Sequence, residues 1–177
     1  MNKFNFFPDL TEYSYGIAPY ILKGVRNVGW IDVGSEFSVG DMPASTFSKL
    51  KSLVDGAGCV KPLVEPLREF PVCELCGEIK LFGSSGRLIP DSGLWIPGRE
   101  VVYASPVMIL HYIEVHGYLP PVEYISAIDA LDENIPFVAD DVYRERLWHS
   151  EWGKLSAEEK MDIARVNSER MSGGKSN

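Results

Sequence analysis

Residues Phe70–Gly77, FPVCELCG, decide how the rest of the chain is read. Cys73 and Cys76 stand three apart, Pro71 precedes them and Gly77 follows. A tight turn at that spacing points both sulfurs at one place, which supplies half of a tetrahedral metal site. Over residues 61–104, short apolar runs alternate with turn signals: FPVCELCG, EIKLF, GSSG, RLIP, DSG, LWIPG, REVVYAS. Glycine and proline punctuate the stretch about every six residues, the pattern of a meander of short antiparallel strands.

The other two ligands must come from elsewhere, and the chain has three histidines, His111, His116 and His149. Two of them lie in SPVMILHYIEVHGYLPP (105–121), which reads as a helix with Ser105 as N-cap, Pro106 in the first turn and Gly117 just past its end. Five residues on a regular helix rotate by about 500°, which leaves the two imidazoles roughly 140° apart. Gly117 lets the last turn tighten or unwind and bring His116 back. The order Cys-x2-Cys, hairpin, helix, His-x4-His resembles a zinc-finger core, although 34 residues separate Cys76 from His111. The expected set is Cys73, Cys76, His111 and His116 around a structural zinc. The competing reading buries the thiols as small apolar groups, makes His111 a core residue and makes His116 a cation at a helix end. Cys59 is either a small buried side chain or a substitute for one histidine. Glu74 and Glu114 lie between the paired ligands and are the bases that a catalytic zinc would need. Glu114 lacks the H-E-x-x-H spacing, and no nucleophile elbow or phosphate loop is present. GSSGR (83–87) reads as a hairpin turn.

The flanks are simpler. VRNVGWIDV (25–33) reads as a strand. A helix follows Asp41 and Pro43, buries Phe47, Leu50 and Leu53, and stops at Gly56. Val122, Ile125, Ile128 and Leu131 mark a further helix. Another starts near Asp140 or Asp141 and carries Val142, Leu147 and Trp148. The last begins at Ser156, which forms a capping box with Glu159. Phe4, Phe6, Phe7, Tyr13 and Tyr15 should dock the N-terminal segment on the core, and SGGKSN at the end should fray. The fold class is α+β, a small antiparallel meander with helices on one side and a helical C-terminal tail. Residues 1–135 form the zinc-stapled domain and 136–177 an acidic helical extension of it.

Charge is unevenly placed. The net value is −8, and residues 123–162 carry eleven acidic against four basic side chains. Such a face is either simply solvated or a docking surface for a basic partner. Glu123, Asp129, Asp132, Glu133, Asp140 and Asp141 are the candidate contacts. There is no basic footprint for nucleic acid, no apolar run long enough for a membrane and no secretory leader. Three cysteines, an odd number, suit a reducing compartment. The expected location is the cytoplasm.

Several strings are shared with a known group. D-L-T-x-Y-S-Y (9–15), V-x-N-V-G-W-I-D (25–32), C-E-L-C (73–76), I-P-G followed by V-Y-A-x-P (96–106) and H-Y-x-x-x-H-G-Y-x-P-P (111–121) resemble a family of short uncharacterised bacterial proteins of unknown function. The likeness runs over roughly residues 9–128 and implies the same four metal ligands; the acidic tail lies mostly outside it. In size and charge the chain is also similar in general character to bacterial immunity proteins, an analogy only. The expected role is therefore a non-enzymatic, zinc-binding partner protein, most concretely an immunity-type inhibitor of a basic toxin. A zinc-dependent hydrolase and a zinc-containing regulatory module are the alternatives.

Overall fold

In the computed structural model, residues 7–14 and 21–173 are described. Phe4, Phe6, Tyr15 and the end of the SGGKSN tail lie outside them. The chain is a mixed α+β structure whose sheets are mostly antiparallel. Its centre is a five-stranded sheet ordered β1 (Glu12–Ser14), β2 (Ile21–Asn27), β10 (Val102–Pro106), β9 (Gly93–Pro97), β4 (Leu63–Val64). β10 pairs antiparallel with β9 across a tight turn closed by the Gly98 N–H on the Val101 carbonyl at 2.8 Å. It pairs in parallel with β2, Val102 opposite Val25. β9 and β10 are buried on both sides along most of their length, as central strands require.

The region expected to form one meander therefore divides. Two hairpins pair only with themselves: β5 (Val72–Cys73) with β6 (Gly77–Glu78), and β7 (Leu81–Phe82) with β8 (Leu88–Ile89). GSSGR forms the turn of the second, with Gly86 at φ 78°. β3 (Val60–Lys61) pairs in parallel with β11 (Phe137–Val138).

Side chains alternate across a strand, so neighbours in sequence face different layers. Leu94, Ile96 and Tyr103 join the larger core with Leu50 and Leu53 of α1 (Ala44–Val54), Ile109 and Tyr112 of α2 (Ile109–His116), and Tyr124 and Ile128 of α3 (Val122–Ala130). Trp95, Val102 and Ala104 face the second core, with Tyr13, Leu22, Val25 and Ala139, Val142 and Tyr143 of α4 (Ala139–His149). Helices thus cover both faces of the sheet, not one. α4, expected in the tail, packs on β2, β4 and β9.

Other boundaries shift for physical reasons. The strand expected over 25–33 ends at Asn27 because Gly29 turns to φ 71°, and a Cβ there would lie 2.9 Å from Ile109 Cδ1. Trp30 keeps an isolated bridge to Phe7, and its indole N–H donates to the Ala104 carbonyl at 3.0 Å. Ser105 is no N-cap: it is fully buried in β10, where its hydroxyl donates to the Leu94 carbonyl at 3.0 Å, and Pro106 ends the same strand. In α3 the buried residues are Tyr124, Ala127 and Ile128, while Val122 is exposed. Trp148 is also exposed.

The expected capping box is present ahead of α6 (Ala157–Gly173), which follows the short α5 (Glu151–Lys154). The Ser156 N–H donates to Glu159 Oε2 at 2.8 Å, and the Glu159 N–H donates to Ser156 Oγ at 3.2 Å. Ser156→Ala should lower stability of this helix by about 1 kcal/mol. The readout is faster amide exchange over residues 157–161, with exchange in the sheet unchanged.

Candidate metal centre

The two thiols are set by the β5–β6 hairpin. Cys73 pairs with Gly77, and the Cys76 N–H closes on the Cys73 carbonyl at 3.3 Å. Gly77 stands at φ 95°, a conformation that L side chains rarely adopt, and so lets the chain reverse directly after Cys76. The Ile79 N–H to the Pro71 carbonyl, at 3.1 Å, extends the clamp.

The two imidazoles come from α2. Its last turn closes wide: the Tyr112 carbonyl accepts from the N–H of Gly117 and, at 3.0 Å, from that of Tyr118, five and six residues on. Gly117 is left-handed at φ 64°. α2 stays helical through His116 and stops directly after it, so His116 stands in the last turn, one turn on from His111. Their Nε2 atoms lie 3.1 Å apart.

All four donors meet. Cys73 Sγ is 3.4 Å from His116 Nε2, and Cys76 Sγ is 3.1 Å from His111 Nε2. The four ligand atoms lie within 4.8 Å of one another, and the cluster could hold a metal ion. Hydrogen bonding alone accounts poorly for this packing. A ring nitrogen offers one proton or one lone pair, yet His111 Nε2 faces a sulfur and a second ring nitrogen together. A tetrahedral ion with bonds of zinc length would set the donors about 3.3–3.8 Å apart, within a few tenths of an ångström of the three short contacts.

Electrostatics run the same way. The His111 imidazole is pushed below its ordinary pKa by burial and then by His116, against a small opposing effect of Glu114. The Cys76 thiol is pushed up by desolvation and then by Cys73 beside it. A divalent cation would relieve the crowding of two thiolates and keep both rings neutral.

The remaining expectations separate. Cys59 is exposed, stands outside the cluster, and donates its N–H to the Glu133 carbonyl at 2.8 Å, so it is no fifth candidate ligand. His149 is exposed at the end of α4. Glu114 reaches Lys51 of α1 at 3.8 Å. Of the six acidic candidates, three are engaged within the chain. Asp129 accepts from the Thr46 hydroxyl at 2.7 Å, Asp132 caps Asn134 at 2.9 Å, and Asp140 pairs with Arg144 at 2.7 Å. Among the described residues no ion pair involves Glu123, Glu133 or Asp141. Tyr112 went unremarked in the sequence. Its ring is tilted against both histidine rings, with centroids 6.2 Å away in each case, and its place directly after His111 was the available signal. Burial and then Cys73 push its phenol well above the ordinary range.

The family model described as Domain of unknown function (DUF7919) matches residues 5–129, a span that holds all four donors. No curated protein matches the chain, and no solved structure does. Among the described residues no helix is long and apolar enough to cross a membrane.

Proposed function

The chain belongs to the DUF7919 family, and we propose that it is a zinc-stapled binding protein with no reaction of its own at the metal. The observation that carries this is the convergence of two sulfurs and two ring nitrogens within 4.8 Å. Zinc suits that donor set, and four protein ligands leave no position for water or substrate, the mark of a structural site. Cys73, Cys76, His111 and His116 would hold the ion, which would tie the β5–β6 hairpin to α2. A hydrolase at the same metal would need one donor to leave and a carboxylate, Glu74 or Glu114, to take up the proton; Glu114 is instead turned to Lys51, and with all four donors in place Glu74 has no metal-bound water to act on.

The binding role draws on charge. Residues 123–162 hold eleven acidic against four basic side chains, and α4 presents its acidic first turn near the edge strand β4, where Asp140 Oδ1 accepts from the Glu65 N–H at 3.1 Å. The most concrete form is an immunity-type inhibitor whose acidic side covers the basic active face of a toxin. Glu123, Glu133 and Asp141 are then the leading contacts, because Asp129, Asp132 and Asp140 already serve the fold.

Co-expression with the product of the neighbouring gene is the direct test. The wild-type chain should copurify with it and relieve growth arrest. Glu123→Gln, Glu133→Gln and Asp141→Asn together should weaken binding by at least tenfold, since close charge pairs carry about 1.5 kcal/mol or more of coupling. Rescue that is unaffected by the triple variant would remove this form of the reading.

A further inference from the structure

A cavity of about 250 Å³ opens on the second face of the sheet and reaches toward the cysteine hairpin. We propose that it is a binding site for an organic cation, an ammonium or guanidinium head group on a short stem.

Its walls are aromatic. Tyr13, Trp30, Trp95 and Tyr143 line it. Tyr13 meets Trp30 at 6.3 Å between centroids and Trp95 at 5.5 Å, and Trp95 meets Tyr143 edge-on at 5.6 Å. Tyr13 and Trp95, the latter 1% exposed, back the wall; the part-exposed rings that a cation can touch are Tyr143 and Trp30, whose indole is held by the Ala104 carbonyl. Aromatic faces carry negative charge density and attract a desolvated cation.

The same cavity is lined by three carboxylates, Glu65, Glu74 and Asp91, and no basic side chain is among its described lining residues. Burial raises the pKa of Glu65 and of Asp91; Asp140 adds to the effect at Glu65 and Glu69 at Asp91. Arg144, the cation that acts on Glu65, is itself paired with Asp140. Arg144 and the Tyr143 hydroxyl offset the rise at Glu65 only in part, and no described cation acts on Asp91; partly desolvated carboxylates of this kind favour uptake of positive charge. An anion would be repelled, and a neutral apolar ligand would strip the carboxylates of water without compensation.

The metal centre shapes one wall. Glu74 lies between the two cysteines and Tyr112 follows His111, and both line the cavity. The volume is slightly below the roughly 300 Å³ at which whole-ligand pockets begin, which suits a head group more than a complete cofactor. The proposal deepens the partner reading, since a basic partner presents such groups. Of the six carboxylates assigned there only Asp140 enters, as a neighbour of Glu65, and none is substituted in its test, so the two fail separately.

The test titrates the metal-loaded full chain with arginine amide, with choline, and with 3,3-dimethylbutan-1-ol, the neutral isostere of choline. Calorimetry and the Trp95 indole resonance report binding. At least one cation should bind with Kd on the order of millimolar and at least tenfold tighter than the alcohol. Asp91→Asn and Glu65→Gln should each weaken it about tenfold or more, as loss of one charged contact does, with metal content and Tm retained. Binding of arginine amide alone assigns the site to a side chain of a protein partner; binding of choline alone assigns it to a small quaternary ammonium compound. The proposal is overturned if neither cation binds, if the alcohol binds equally well, or if both carboxylate variants leave the affinity unchanged.

Discussion

Replacing Cys73 by serine is expected to abolish stoichiometric metal binding and to lower Tm by about 8–16 °C. The sulfur is buried at the point where the β5–β6 hairpin meets α2, and no other described donor stands in the cluster to replace it. A ligand present at a thousand times its Kd stabilises the native state by about 4 kcal/mol, and each kcal/mol shifts Tm by about 2–4 °C in a chain of this size. Chelation of the wild-type protein should give a shift of the same size, and zinc should not restore the serine variant. Metal analysis and thermal melts with and without chelator check all three. The loss should also be local: amide protection should fall first in residues 70–82 and in α2, because the rest of the larger core keeps its packing.

Trp95→Ala should be as damaging to stability yet leave the metal in place. Trp95 is among the largest fully buried side chains and meets both Tyr13 of β1 and Tyr143 of α4. It therefore joins the N-terminal strand, the sheet and α4 in one core. Truncation of a buried aromatic costs about 3–5 kcal/mol, which corresponds to roughly 6–20 °C here. Its neighbours in sequence, Leu94 and Ile96, point to the opposite face, toward the helix that carries the histidines. Metal content of the folded fraction should stay at one ion per chain. A variant that lost zinc together with Trp95 would mean that the two layers of the molecule do not separate as described.

The two experiments divide what the sequence disclosed from what it hid. The donor cluster was legible because cysteine and histidine are scarce here and their spacing is stereochemically meaningful. Cys-x2-Cys before a glycine has few conformations, and only three histidines and Cys59 stood ready to complete it. Helix ends set by local chemistry, such as Pro43 before α1 and the Ser156–Glu159 box, were legible for the same reason. What escaped was set by partners distant in sequence. Ser105–Pro106 before an apolar run has the local chemistry of a helix start, but pairing of those residues with Leu94 and Gly93 holds them extended. The parallel contact of β2 with β10 leaves no local signature. Helices on both faces could not be read from α4 alone, since its second core is completed by Tyr13 and Trp95. The cavity is hidden likewise: its aromatic and acidic residues are brought together by several separate segments.

Zinc-edge X-ray absorption on the purified protein is the most direct measurement of the central claim. One ion per chain, with two sulfur scatterers at about 2.3 Å, two imidazole nitrogens at about 2.0 Å and no added oxygen, is the expected result. A protein that remains folded with the same Tm when fully stripped of metal, or a shell in which water or a carboxylate replaces one of the four donors, would contradict it.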